Sequence, residues 1–130
     1  GEMLSEGRML NLCKTILRKA GLPIGKFFDY SRTVKGFFPP ETKWENVYPT
    51  IVPQWDRSPR AATLDGIYVH ATPKAFEEHI NDALTYIEKK APEHRIMVLK
   101  SWNEWGEGNY VEPDLEFGHG WLEAIKNTIQ

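Results

Sequence analysis

Residues 96–99 read Ile-Met-Val-Leu, and residues 101–114 read Ser-Trp-Asn-Glu-Trp-Gly-Glu-Gly-Asn-Tyr-Val-Glu-Pro-Asp. A short, continuously apolar run is typical of a strand that is buried on both faces of a parallel sheet. In folds built from βα units, the loops that leave the carboxyl ends of the strands converge on a common mouth. The stretch therefore predicts an α/β fold with segment 101–114 at the functional end of a strand.

A helix separates this strand from an earlier one. Val47–Val52 is rich in β-branched residues and predicts the earlier strand. Thr72 and Pro73 have the pattern of a helix N-cap and first turn, and the apolar stripe that follows is Phe76, Ile80, Ala83, Leu84 and Ile87. Two strands joined by a helix of this length are expected to be parallel neighbours with a right-handed crossover.

Further helices flank this unit. The spacing of apolar residues predicts an amphipathic helix over roughly Leu4 to Ala20, and residues 29–35 favour one short helix. A long loop is expected through Gly66 to His70. The last predicted helix has Trp121, Leu122, Ile125 and Ile129 on one side. The resulting order is a parallel βαβα segment within a single domain, residues 1–130.

Bulk composition limits the function. The 18 acidic and 16 basic residues nearly balance, which argues against nucleic acid or an anionic membrane as the main partner. Cys13 is the sole cysteine, so an internal disulfide is impossible and a reducing, cytoplasmic location is expected. No stretch approaches the ~20 apolar residues of a membrane span. A small or neutral ligand is the partner that fits.

Segment 101–114 has the composition of a sugar site, because it combines four carboxylates with three aromatic side chains. Acids move protons, and flat rings lie against pyranose faces. Glu104 and Glu107 are the predicted catalytic pair, since glycosidic chemistry needs one proton donor and one acceptor or nucleophile. Residues three apart on a strand point to opposite faces, so the chain must turn after Glu104. Gly106 and Gly108 supply that freedom.

Other residues of the segment receive supporting roles. Trp105 is expected to be a sugar platform, Tyr110 a second stacking ring, and Trp102 a core residue. Glu112 is expected to orient the loop by binding backbone amides. The spacing of His70, His79, His94 and His119 shows no metal pattern, and Gly106-x-Gly108 lacks a third glycine, so neither a metal nor a dinucleotide cofactor is predicted.

Three ordered matches connect the chain to a known family. Asn103-Glu104-Trp105-Gly106-Glu107-Gly108, followed by Glu112-Pro113-Asp114, resembles the Asn-Glu-Trp-x-Glu-Gly…Glu-Pro signature of the WbsX-like bacterial glycosyltransferases, which are similar to glycoside hydrolase family 99. Residues 55–60 resemble a Trp-Asp-Asn-x-x-Arg segment of these proteins, with Arg57 where asparagine is usual. Gly118…Leu122-Glu123-Ala124 resembles their closing helix.

The resemblance implies a (β/α)8 barrel, of which this chain is the C-terminal part with strands seven and eight. Its 130 residues are about half of the roughly 250 that a complete barrel takes. The family implies an enzyme that acts on glycosidic bonds in bacterial polysaccharide or lipopolysaccharide metabolism. The residues do not decide between transferase and hydrolase, nor whether the piece is active alone.

The resemblance also implies roles for individual residues. By analogy with family 99, Glu104 is the base that activates a sugar 2-hydroxyl and Glu107 is the acid that protonates the departing oxygen; direct attack by a carboxylate stays open as the alternative. The implied saccharide-binding residues are Trp55, Asp56, Arg57, Asn103, Trp105, Tyr110 and Glu112.

A second interpretation is a carbohydrate-binding or assembly module with the same architecture and no catalysis. An incomplete parallel sheet has open edges, and such edges favour homo-oligomers. An enzyme loses turnover in Glu104→Gln and Glu107→Gln, whereas a binding module loses affinity in Trp105→Ala.

Overall fold

A computed structural model describes residues 16, 19–20, 25–61 and 65–129. Helices and strands are mixed along these residues, so the fold is α/β as predicted. The strands are β1 (Lys26–Asp29), β2 (Thr50–Ile51), β3 (Asp65–Val69), β4 (Val98–Leu99), β5 (Asn103–Glu104) and β6 (Asn109–Tyr110). The helices are α1 (Tyr30–Val34), α2 (Ser58–Ala61), α3 (Pro73–Ile87) and α4 (Gly120–Thr128), with 3-10 turns at Pro40–Lys43, Pro92–His94 and Trp105–Glu107.

Strands β2 and β4 form the parallel pair that the sequence predicts. Thr50 lies opposite Val98 and Ile51 opposite Leu99. The ladder extends at its start, where the Val98 amide donates to the Pro49 carbonyl at 2.9 Å. Pro49 is compatible with this position because only its carbonyl is used. The strands are shorter than the predicted Val47–Val52 and 96–99.

A second parallel pair, β1 with β3, was missed at the sequence level. Phe27 lies opposite Ile67 and Phe28 opposite Tyr68. The expectation of a loop from Gly66 to His70 is therefore wrong for residues 66–69. Within the described residues the strands form three two-stranded sheets, β1–β3, β2–β4 and β5–β6, without closing into a barrel.

Helix α3 begins where the sequence predicts. The Thr72 hydroxyl accepts the Ala75 amide at 3.2 Å, and Pro73 occupies the first turn, where its missing N–H is not needed. Of the predicted stripe, Phe76, Ile80, Ala83 and Ile87 are buried and Leu84 is partly buried. Complete burial of one such large apolar side chain stabilises the fold by about 1.5–3 kcal/mol.

The core lies between β2, α3 and α4. Its buried members are Ile51, Phe76, Ile80, Ala83, Val111, Trp121 and Ala124. Leu122 and Ile125 pack against this cluster as expected for α4, but Ile129 follows the helix and is 56% exposed, so it is not part of the helix side on which the sequence placed it. The helix predicted over Leu4 to Ala20 lies outside the described residues except at Ile16, Lys19 and Ala20, where the Ala20 amide donates to the Ile16 carbonyl.

The run 96–99 is buried on one face only, which corrects the prediction of two buried faces. Met97 and Leu99 pack against the core, whereas Ile96 is exposed and Val98 is 45% exposed. This alternation is that of a strand with one covered face. Within the described part of the chain, α3 and α4 supply the covering layer.

Candidate active site after strand β4

A hairpin follows β4 and carries the predicted catalytic residues. The Lys100–Ser101 peptide bond is cis, and β5 then pairs antiparallel with β6, Asn103 opposite Tyr110 and Glu104 opposite Asn109. The 3-10 turn Trp105–Glu107 joins the two strands. The chain thus turns directly after Glu104, as the sequence predicts.

Gly108 ends this turn in the left-handed conformation, with φ of 53°. A Cβ there would lie 3.0 Å from Asp56 Cβ and 3.1 Å from the Asp56 amide nitrogen. Both the backbone conformation and the space therefore require glycine. Gly106 does not have a positive φ. Its predicted role as a source of backbone freedom is therefore wrong.

Glu104 and Glu107 meet at one guanidinium. Arg60 Nη2 lies 2.6 Å from Glu104 Oε1, and Arg60 Nη1 lies 3.3 Å from Glu107 Oε1. Lys100 Nζ stands 3.8 Å from the other oxygen of Glu107. The Glu104 side chain is 34% exposed and the Glu107 side chain 18%. The carboxylates of Glu104 and Glu107 are thus held by the same guanidinium at the surface.

Arg60 was not among the predicted site residues. It lies on α2, and its hydrogen bond with Glu104 raises the pKa of its guanidinium further above its ordinary value. The signal that points to it is the final arginine of the Trp-Asp-Asn-x-x-Arg pattern. Its contact with Glu104 spans 44 residues of sequence, a separation that local patterns do not reveal.

The loop after β2 borders the glutamates. Lys100 Nζ lies 4.8 Å from the Trp55 ring centre, which brings Trp55 close to the cation that faces Glu107. The Asp56 amide donates to the Glu107 carbonyl at 2.8 Å, and its carboxylate accepts the Ser58 amide at 2.8 Å. Asp56 thus supports the site through its backbone, and its side chain binds the first amide of α2. Arg57 is exposed beside it.

An aromatic pair continues the surface beyond Glu104. The rings of Trp105 and Tyr110 stack with centres 3.6 Å apart and planes 14° from parallel, and Trp105 is 47% exposed. Desolvation raises the pKa of the Tyr110 hydroxyl. An open cavity of about 460 Å³ adjoins the pair, lined by Trp105, Tyr110, Pro113, Asp114, Leu115 and Glu116.

Glu112 and Trp102 differ from expectation. The Glu112 carboxylate accepts the Trp105 indole N–H at 2.7 Å, so it orients a ring rather than the backbone amides that the sequence suggested. Trp102 is 55% exposed and is not among the residues packed on the core cluster, so its predicted place in the core is wrong. Asn103 is exposed on β5.

Asn109 is a supporting residue that sequence reasoning missed. It is completely buried, and its amide nitrogen donates to the Gln54 carbonyl, which ties the hairpin to the loop after β2. Ser101 completes this support, since its hydroxyl donates to the Asn109 carbonyl at 2.7 Å and accepts the Glu104 amide at 3.2 Å. The backbone that carries Glu104 is therefore fixed from two sides.

Two absences hold for the described residues. They contain no group of three or more His, Cys, Asp or Glu side chains placed to hold a metal ion. Among the helices of those same residues, none has the length and apolar character to cross a membrane.

Comparison with known proteins gives one family and two curated relatives. The profile of the family described as Glycosyltransferase WbsX matches residues 4–125. An uncharacterised protein named WxcX, from Xanthomonas campestris pv. campestris strain B100, is 30% identical over 106 residues, which are 81% of this chain and 15% of that protein. A WxcX from a second strain is 34% identical over 84 residues, 64% of this chain and 12% of the relative. No solved structure matches the chain.

Proposed function

The chain belongs to the WbsX glycosyltransferase family, and we propose that it carries the acid–base residues of an enzyme acting on glycosidic bonds in bacterial polysaccharide or lipopolysaccharide metabolism. Glu104 and Glu107 are the proposed catalytic pair. The observation that carries this proposal is their convergence on the Arg60 guanidinium at the end of a parallel strand, next to an exposed aromatic pair.

Each glutamate has a distinct task. Breaking or making a glycosidic bond requires a proton on the leaving oxygen and removal of a proton from the attacking hydroxyl. We assign Glu104 as the base that acts on a sugar hydroxyl and Glu107 as the acid for the leaving oxygen, following the resemblance to glycoside hydrolase family 99. Direct attack on the sugar by one carboxylate is the competing route, and it requires the two carboxyl groups about 5 Å apart.

The sugar itself is proposed to rest on the aromatic pair. The exposed part of Trp105 offers a flat apolar surface to the C–H face of a pyranose, and Glu112 fixes the indole by accepting its N–H. The proposed partners of the sugar hydroxyls are four residues that border the glutamates: Trp55, Asp56, Arg57 and Asn103. Oδ1 of Asp56 already accepts the Ser58 amide, so Asp56 would bind a sugar hydroxyl through its other carboxylate oxygen.

The larger architecture is proposed to be the C-terminal part of a (β/α)8 barrel in a longer protein. Two features support it: helix α3 lies in the connection between the parallel neighbours β2 and β4, together with α2 and β3, and the glutamates follow the carboxyl end of β4. The aligned regions are only 15% and 12% of the curated relatives, which is consistent with a larger parent. Self-association through the edges of the small sheets stays a prediction.

A second candidate is a carbohydrate-binding module without catalysis. The aromatic pair and the adjoining 460 Å³ cavity favour it, because both would hold a saccharide without the glutamates. Two substitutions, Trp105→Ala and Glu107→Gln, distinguish the candidates through their effects on saccharide affinity and on turnover. The first substitution removes affinity in either case, whereas the second removes turnover only from an enzyme.

The test uses the intact protein and purified polysaccharide from the bacterium that encodes it, with and without nucleotide-sugar donors. Mass spectrometry of the product reads chain length: hydrolysis shortens the chains, and transfer lengthens them only when a donor is present. We expect the unmodified protein to change the chain length of the polysaccharide, and the Glu107→Gln variant to leave it unchanged. Unchanged chain lengths with the unmodified protein, together with polysaccharide binding that Trp105→Ala weakens, would establish the binding module instead.

A further inference from the structure

Arg60 touches both proposed catalytic glutamates, and we propose that it is a positioning residue that fixes their carboxylates relative to each other. The inference rests on the proposed function, because it concerns the geometry of that acid–base pair. One terminal nitrogen of the guanidinium binds Glu104 Oε1 at 2.6 Å, and the other lies 3.3 Å from Glu107 Oε1. Since the guanidinium is a rigid planar fork, the spacing of its nitrogens sets the spacing of the two carboxylate oxygens.

The backbone segment that carries Arg60 is itself held by hydrogen bonds. The Asp56 carboxylate accepts the Ser58 amide at the start of α2, and the Arg60 amide donates to the Arg57 carbonyl at 3.1 Å. The Asp56 amide also donates to the Glu107 carbonyl at 2.8 Å. The segment that carries Arg60 and the turn that carries Glu107 are thus joined through their backbones, so the guanidinium extends from a defined point.

Gly106 provides an independent observation. A Cβ at this position would lie 3.1 Å from Arg60 Nη2, 3.3 Å from Arg60 Nε and 3.2 Å from Glu104 Oε1. The guanidinium therefore lies directly against the backbone of the turn between the two glutamates. A side chain at residue 106 would crowd the contact between Arg60 and Glu104. Glycine is therefore favoured at this position by the available space and not by the backbone conformation.

The contacts of the two glutamates with their neighbours are unequal. Both oxygens of Glu107 face cations, Arg60 on one side and Lys100 at 3.8 Å on the other. Glu104 is held through Oε1, and among the described residues its Oε2 makes neither a hydrogen bond nor an ion pair. One oxygen of Glu104 is therefore held in place while the other is left to take a proton from a sugar hydroxyl.

A stabilising surface ion pair is the simpler interpretation, and it makes a different prediction. The Arg60 side chain is half exposed, and exposed pairs of this kind contribute little to stability. A positioning residue affects the rate instead, because a displacement of about 1 Å in a catalytic group costs on the order of 100-fold in rate. Loss of Arg60 should thus lower kcat while KM and the thermal unfolding temperature change little.

The experiment compares Arg60→Ala and Arg60→Lys in the intact protein, using initial rates of the polysaccharide reaction. We expect kcat to fall on the order of 100-fold in both, because a lysine ammonium lacks the fork that spans two carboxylates. Millimolar guanidinium ion should restore part of the rate of Arg60→Ala and none of Arg60→Lys. Arg32→Ala, an exposed arginine on α1, is the matched control.

A second readout does not depend on turnover. Three-bond scalar couplings, measured by nuclear magnetic resonance on glutamate-labelled protein, report whether Glu104 and Glu107 each hold one χ1 rotamer. We expect single rotamers in the unmodified protein and averaged couplings in Arg60→Ala. Single rotamers without the guanidinium, or an unchanged kcat, would overturn the positioning role. An inactive unmodified protein would instead refute the proposed function, while the couplings would still decide whether Arg60 orders the pair.

Discussion

His79 is a fully buried histidine on α3, packed among aromatic rings. Its imidazole stacks on Phe38 at 5.2 Å and meets the edges of Phe37 and Tyr30 at 5.5 and 6.3 Å between ring centres. Neither ring nitrogen has a hydrogen-bond partner among the described residues. Desolvation lowers the pKa of this imidazole from 6.5 to about 4. The fold therefore contains the neutral ring.

The lowered pKa makes stability depend on pH with a defined sign. Between pH 6.5 and about 4 the unfolded chain binds a proton that folded His79 does not, so the free energy of unfolding falls as the pH falls. Above pH 6.5 His79 is neutral in both the folded and the unfolded chain, so none of this stability is lost. Since one pKa unit corresponds to about 1.4 kcal/mol, the loss by pH 4 is roughly 3 kcal/mol.

Denaturant unfolding at several pH values, followed by circular dichroism, measures this loss. His79→Phe is the control, because it keeps an aromatic ring in the same cluster and cannot be protonated. Glu78 and Asp82 line the same cavity as His79 and are present in both proteins, so the difference between the two curves isolates His79. Equal acid sensitivity of the two proteins, or a His79 resonance that titrates near 6.5, would refute the reasoning.

Two further predictions concern the turns around the site. Gly108→Ala should lower the free energy of unfolding by about 1–3 kcal/mol, because the alanine would have a φ of 53° and a Cβ 3.0 Å from Asp56. Thermal unfolding measures this loss, and an unchanged midpoint would contradict the turn geometry. Asp114→Ala should cost about 2 kcal/mol, since the carboxylate accepts the Phe117 amide at 2.6 Å and the Trp121 indole at 2.9 Å. Denaturant unfolding measures that cost, and a loss below about 0.5 kcal/mol would contradict the role of these hydrogen bonds.

The features that sequence predicted well are set by local patterns. Thr72 and Pro73 specify the start of α3 through hydrogen bonding and a fixed φ, and both effects act within one turn. The end of the turn after Glu104 likewise follows from Gly108, which has a positive φ. The parallel pairing of β2 with β4 agrees with the prediction, although the connection between them contains β3 as well as α3.

The features that sequence missed depend on contacts between distant residues. β1 pairs with β3 across the whole β2–α2 region, and neither strand has flanking signals strong enough to identify it alone. The contact of Asn109 with the Gln54 carbonyl spans 55 residues. Trp102 was placed in the core on its hydrophobicity, yet which face of a hairpin is covered depends on the elements packed against it. Arg60 joins the site in the same way, through the placement of α2.

The central claim is that Glu104 and Glu107 act together on one glycosidic bond. Its most direct test is the kcat of Glu104→Gln in the intact protein, because the amide keeps the size of the side chain and cannot act as a base. A positioned general base contributes about 100- to 10,000-fold to the rate. We predict a fall of at least about 100-fold with an unchanged unfolding temperature. A kcat equal to that of the unmodified protein would contradict the account.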